Sequence, residues 1–84
     1  MVYGILGTVP VIVEINLYVQ KRMKHRDILI EEILKLLARP ISSHRPGKQN
    51  GRHEVAHRIG QRFLVAVYSR SSSNVVPVVT VYQE

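Results

Sequence analysis

The chain has 84 residues, with 12 Lys and Arg against 6 Asp and Glu, a formal net charge of +6 and a pI near 10.2. That length sets one domain over residues 1–84 and excludes the doubly wound and barrel cofactor folds, which need about 150 residues or more. With no Cys, disulfides, Cys-bearing zinc sites and thiol catalysis are excluded together.

The opening run from Met1 to Val13 is apolar but has no basic leader and no small-residue cleavage site, and Glu14 closes it. It is too short to span a bilayer. Buried structure in a soluble, cytoplasmic protein is expected, with no membrane partner. Residues 9–15, Val-Pro-Val-Ile-Val-Glu-Ile, follow a Gly7-Thr8 turn signal and are rich in β-branched side chains, which predicts a strand. Pro10 suits a strand start or a sheet edge, where no amide donor is needed.

From Asn16 the period changes. Leu17, Val19 and Met23 among Gln20, Lys21, Arg22 and Lys24 predict a short helix capped by Asn16. A second helix is predicted over Leu29 to Ala38, where Ile30, Ile33, Leu34 and Leu37 make one apolar stripe. Asp27 is its expected cap, Glu31 and Glu32 suit its positive start, and Pro40 ends it. The segment Ile41 to Gly51 reads as a basic loop.

Beyond it the period becomes two across Arg52–Ile59, Arg62–Ser69 and Val75–Tyr82, with hairpin connections at Gly60-Gln61 and over residues 70–74. The fold expected is α+β, an N-terminal strand and two short helices packed on one face of an antiparallel sheet. Alternation assigns the other face. Val75, Pro77, Val79 and Val81, with Phe63, Val65 and Val67, are expected toward the helices. The open face is then expected to gather Arg52, Glu54, Arg58, Arg62, Tyr68, Thr80 and Tyr82.

The basic residues cluster. Lys21, Arg22, Lys24 and Arg26 fall close together, and Arg39, Arg45, Lys48, Arg52, Arg58 and Arg62 follow with only Glu54 between them. Such an excess marks a nucleic-acid binder or a protein captured by an acidic partner, against the plain alternative of a solvated surface. His53 and His57 stand four apart in a strand, about 13 Å at roughly 3.4 Å per residue, so zinc is not expected. They are read either as proton-transfer groups in RNA cleavage or as partly buried strand residues. His25 and His44 are expected only to assist phosphate contact. Glu54, flanked by Arg58 and Arg62, suits acceptance of a 2′-hydroxyl proton or, more plainly, a cross-strand ion pair. Tyr68 and Tyr82 suit base stacking or the edge of the core. There is no glycine-rich phosphate loop, no Ser-His-Asp order and no paired-carboxylate site. No cofactor or metal is expected.

At Tyr18-Val19-Gln20-Lys21-Arg22-Met23-Lys24-His25-Arg26-Asp27-Ile28, then Glu31-Glu32-Ile33 and Pro40, the sequence resembles small proteins related to the RelE/ParE and BrnT toxins. Gly60-Gln61-Arg62-Phe63-Leu64-Val65-Ala66-Val67-Tyr68 and Val78-Val79-Thr80-Val81-Tyr82 look like that family's two last strands. Tyr18 stands at the place of the family's usual His, Asp27 at that of a Gly and Leu29 at that of a capping Ser. Arg22 and Thr80 match its characteristic polar positions, and Arg26 and Tyr82 match less sharply. The resemblance implies a RelE-like RNase fold and a toxin of a type II toxin–antitoxin pair, neutralised by a cognate antitoxin protein.

The function expected is therefore a metal-independent endoribonuclease acting on RNA, either free or on the ribosome. The competing class is a non-catalytic basic module that binds RNA or an acidic partner. The catalytic set expected is Arg22, Glu54, His57, Arg62, Thr80 and Tyr82. Lys24, Arg26, Arg45, Lys48, Arg52, Arg58 and Tyr68 are expected to bind RNA.

Overall fold

A computed structural model describes residues 1–70 and 73–84. Its elements in chain order are β1 (Val2–Leu6), β2 (Val9–Ile15), α1 (Leu17–Arg26), α2 (Ile30–Leu37), a 3-10 turn (Ile41–Ser43), β3 (Arg45–Pro46), β4 (Arg52–Ile59), β5 (Arg62–Ser69) and β6 (Val75–Gln83). They form an α+β fold in which two helices pack on one face of a six-stranded sheet of order β1-β2-β6-β5-β4-β3. Every pairing is antiparallel except β2 with β6. Part of the predicted 70–74 connection, Ser71 and Ser72, lies outside the described residues. Among the described residues, no helix is long and apolar enough to cross a membrane.

Two hairpins turn on Gly7 (φ 65°) and Gly60 (φ 64°). A two-residue hairpin connection needs positive φ at its first central residue, which glycine adopts without strain. β2 is the strand predicted over residues 9–15, and the stretch before it, predicted only as buried, is its hairpin partner β1, in which Tyr3 and Ile5 are exposed. The predicted basic loop contributes the short edge strand β3, which pairs Arg45 with Glu54 and Pro46 with His53.

Asn16 caps α1 as expected, its Oδ1 accepting from the Val19 N–H at 2.9 Å. Asp27, expected to cap α2, instead closes α1. It adopts the left-handed conformation at φ 56° while the Ile28 N–H donates back to the Met23 carbonyl at 2.8 Å. The residue at the N-cap of α2 is Leu29. Its side chain has no acceptor, so only the return half of a capping box forms, with Glu32 Oε1 accepting from the Leu29 N–H at 2.8 Å.

α1 packs on β6, and α2 crosses β1, β4 and β5. The core between helices and sheet is built from Val11, Val13, Val19, Ile28, Ile33, Leu36, Leu37, Val55, Leu64, Ala66, Tyr68, Val76, Val78 and Val81. The side chains of β4 face as expected, but β5 is reversed. Leu64, Ala66 and Tyr68 join the core cluster under the helices, whereas Phe63 is 38% exposed and Val65, although 0% exposed, lies outside that cluster on the other face. Both sets of β5 are apolar, so alternation alone carried no contrast, and pairing Val55 of β4 with Ala66 decides the face.

β6 is split. Val76, Val78 and Val81 enter the core, whereas Val75 and Val79 do not. The register with β5 runs Val67 with Thr80 and then Tyr68 with Val78, which leaves Val79 as an extra residue. That bulge restores Thr80 and Tyr82 to the helix-free face.

In β1, a Cβ added at Gly4 would meet Val13 Cγ2 at 2.9 Å and Leu34 Cδ2 at 3.0 Å. α2 rests against this backbone because no side chain intervenes. Gly4→Val is expected to lower stability by about 1–3 kcal/mol through overpacking, read from the urea midpoint at unchanged slope.

Candidate functional site

On the helix-free face the register aligns a row across four strands. Arg45 of β3 is paired with Glu54 of β4, Glu54 with Val67 of β5, and Val67 with Thr80 of β6. Directly opposed residues in antiparallel strands have Cα atoms about 4.5–5.5 Å apart, so the row is a continuous strip of side chains. A cleft of about 500 Å³ opens over it, with Val67 and Val79 in its floor, Glu54, Arg52, Thr80 and Tyr82 in its walls, and Lys48, Gln49 and Glu84 at its rim.

Local geometry sets the rim. The Gly47 N–H donates to the Arg52 carbonyl at 2.8 Å, and the Arg52 N–H donates to the Gln49 carbonyl at 3.1 Å. A Cβ at Gly47 would lie 2.8 Å from Arg52 Cβ, so only glycine lets the loop fold this tightly and carry Lys48 and Gln49 over β4.

Glu54 is the one acid of β4. Its Oε1 accepts from the Arg45 Nε–H, the carboxylate being mostly covered and the guanidinium mostly exposed, at 13% and 57% of their side-chain surfaces. The cross-strand ion pair expected for Glu54 is present, with Arg45 as partner in place of Arg58 or Arg62. Tyr82 is half-buried, and that burial, reinforced by the nearby Glu54 and Glu84 charges, raises its phenol above the ordinary range. It keeps its proton at neutral pH and stands as an O–H donor beside a carboxylate.

The structure therefore brings together Glu54, Thr80, Tyr82, Lys48, Arg52 and Arg45. Arg58 lies exposed on the same face, four residues along β4 and about 13 Å from Glu54 at roughly 3.4 Å per residue. Other members of the expected set are elsewhere. His57 is exposed on the helix side of β4, and no bulge in β4 turns it toward the cleft. Tyr68 is buried in the core at 1% exposure and offers no face to a base. His44, expected to assist phosphate contact, is held between the Tyr68 hydroxyl at 2.7 Å and the Arg39 carbonyl at 3.0 Å. Arg22, Lys24 and Arg26 belong to α1, on the other side of the sheet from the cleft. There the Arg22 Nε–H donates to the Tyr18 hydroxyl at 3.0 Å and its guanidinium lies 5.3 Å from the Tyr18 ring centre.

Arg62 is the largest departure. Because β5 is reversed, its guanidinium turns to the helix layer, where Nη2 donates to both Glu32 oxygens at 2.8 and 2.9 Å. Nη1 donates to the Asp27 and Arg26 carbonyls at 2.8 and 3.2 Å. Arg62 fastens the α1–α2 corner to the sheet and is not a cleft residue. Reading the sequence alone missed Gln49 and Glu84 at the rim and Val67 and Val79 in the floor. The Pro46-Gly47 pair was the available turn signal for the rim. Among the described residues, no three His, Asp or Glu side chains come together as a metal site.

No protein-family model matches the chain, and neither the curated proteins nor the solved structures contain a match to it.

The Leu29 amide bond and the Arg62 guanidinium hold the Glu32 carboxyl below its ordinary value of 4.5. A lowered carboxyl stabilises the fold above the unfolded-state value and loses that contribution as pH falls through the folded one. Arg62→Ala and Glu32→Gln are each expected to cost about 1–2 kcal/mol at neutral pH, and the double variant less than their sum. As thermal melts are taken to pH values below 4.5, the Glu32→Gln difference should fade and the Arg62→Ala difference should shrink to what its bonds to the Asp27 and Arg26 carbonyls contribute.

Proposed function

We propose that the cleft binds single-stranded RNA and cleaves it by attack of a ribose 2′-hydroxyl on the adjacent phosphate. The observation that carries this reading is the convergence of the Glu54 carboxylate with three cations and two hydroxyls, namely Arg45, Lys48, Arg52, Thr80 and Tyr82, with Glu84 as a second acid at the rim, on a sheet face that no helix covers.

In this reading the Glu54 carboxylate accepts the 2′-hydroxyl proton. The 2′-oxygen bonds to phosphorus, the P–O5′ bond breaks, and the products end in a 2′,3′-cyclic phosphate and a 5′-hydroxyl. Arg45, Arg52 and Lys48 face the charge that builds on the phosphorane oxygens. Tyr82, which retains its proton, supplies one to the departing 5′-oxygen, and Thr80 orients the phosphate. A base rests on the apolar floor of Val67 and Val79 beside the Tyr82 ring. Action as a cytoplasmic toxin held in check by an antitoxin protein, on free RNA or on the ribosome, is proposed from the sequence resemblance to the RelE/ParE and BrnT toxins.

A second reading is favoured by the Arg45–Glu54 ion pair, which takes one oxygen, Oε1, of the carboxylate that the reaction needs. On it the cleft binds RNA without turnover.

Incubation with RNA in EDTA is expected to yield cyclic-phosphate ends, and Glu54→Gln to slow cleavage at least about 100-fold with RNA affinity retained. Lys48→Ala and Arg52→Ala should weaken binding to every sequence and lower the salt slope by about 1 each. Intact RNA across a panel that includes ribosomes, with salt-sensitive binding preserved, would leave the binding reading alone standing.

A further inference from the structure

Three aromatic rings lie on the core side of the sheet directly behind the Arg45–Glu54 pair. His53 of β4 is paired with Tyr68 of β5, and their rings stack with centres 5.5 Å apart and planes at 21°. His44, the residue before β3, meets the same tyrosine edge-on at 5.6 Å. Its Nδ1 lies 2.7 Å from the Tyr68 hydroxyl and its Nε2 lies 3.0 Å from the Arg39 carbonyl.

These contacts assign the tautomer. A carbonyl only accepts, so Nε2 carries the proton and donates to Arg39, and Nδ1 accepts the Tyr68 O–H. Both ring nitrogens are used by a neutral imidazole.

β3 is a weak strand, held on its far side by the Gly47 N–H bond to the Arg52 carbonyl. It is two residues long, and Pro46 has no amide to give to the ladder. Arg45 is 57% exposed and reaches Glu54 only where its backbone is fixed. Successive residues of an extended chain point to opposite faces, so an anchor at His44 on the core side sets where Arg45 stands on the cleft side.

We propose that His44, clamped between Tyr68 and the Arg39 carbonyl, is a positioning residue that fixes β3 and thereby holds the Arg45 guanidinium at Glu54. This inference rests on the reading of the cleft as an RNA-cleaving site. Protonation reverses one side of the clamp, because Nδ1–H of a charged imidazole can only donate, to the Tyr68 oxygen. A second proton on Nδ1 removes the acceptor, and the Tyr68 hydroxyl, in a residue 1% exposed, has to find another. The groups around His44 oppose that charge: Arg39 from the segment after α2, with its Nε buried and without a partner among the described residues, His53 from β4, and Arg70 after β5. Burial foremost, and then these neighbours against the Arg39 carbonyl bond, keep His44 below the ordinary 6.5. A histidine lowered in this way contributes its stability above the unfolded-state value and loses it as pH falls through the folded one.

The test compares full-length His44→Ala, His44→Gln and Tyr68→Phe. Glutamine retains one donor and one acceptor but does not titrate in this range. His44→Ala and Tyr68→Phe are expected to lower kcat for RNA cleavage about tenfold, to change KM less, and to speed exchange of the Arg45 Nε–H and the β4 amides seen by NMR. His44→Gln should restore kcat and remove the decline in activity below about pH 6.5. Wild-type kcat and an unchanged Arg45 Nε–H in His44→Ala would overturn the proposal, as would a His44→Gln protein that behaves like His44→Ala. If His44→Ala does not fold, the other two variants decide. If wild type cleaves no RNA, the cleft reading fails by itself, and the Arg45 and β4 exchange rates still decide the role of His44.

Discussion

β6 is bonded on both sides, parallel to β2 and antiparallel to β5, and one extra residue in it governs both faces of the molecule. Val76 and Val78 lie in the core on the first half of the strand, and strict alternation from there would drive Thr80 and Tyr82 into the core and expel Val81. The bulge at Val79 breaks the count once. After it, Val81 packs under the helices while the two hydroxyls stand beside Glu54. Core and cleft are therefore set by one backbone irregularity, and neither is complete in an unbroken strand.

The positive charge serves three separate purposes. Lys48 and Arg52 line the cleft and Arg45 reaches it through Glu54, while Lys21, Lys24 and Arg26 are carried by α1 on the far side of the sheet, two of them in its last turn where cations suit the helix end. Arg62 serves architecture. It joins a β-strand to the loop and helix above it through four hydrogen bonds, and the carboxylate that receives two of them also caps α2. A net charge of +6 is thus not one binding surface, and a single nucleotide cannot touch the α1 and cleft cations together.

Much of this was legible in the residues, and the failures have definite causes. Asn16, the stripe from Ile30 to Leu37 and the three period-two runs announced their elements because propensity, capping and spacing agreed. The β4 faces were readable because Arg52, Glu54 and Arg58 contrast with Val55 and Ile59. β5 offered no such contrast, and with it went the placement of Arg62 and Tyr68. Asp27 was read for its capping chemistry, yet Asp also tolerates the left-handed conformation that ends a helix, and that property prevailed. The cleft hydroxyls were found although the first half of β6 was assigned to the wrong face, because the bulge cancelled the error beyond it. His44 was missed as a structural residue because its partner Tyr68 is distant in sequence, and such a pairing exists only once β3 meets the sheet.

The two borders of the sheet are unlike. At one, β3 is short, carries a charge and lacks one amide at Pro46. At the other, β1 is five uncharged residues with Tyr3 at 85% and Ile5 at 47% exposure. Proteins guard such borders with charge, proline or brevity, and here only the β3 side has that protection. The two ends of the sheet therefore differ, since β1 offers a longer border than the two residues of β3, and an uncharged one. A strand added beside β1 would lie at the opposite end of the sheet from β3, remote from the cleft.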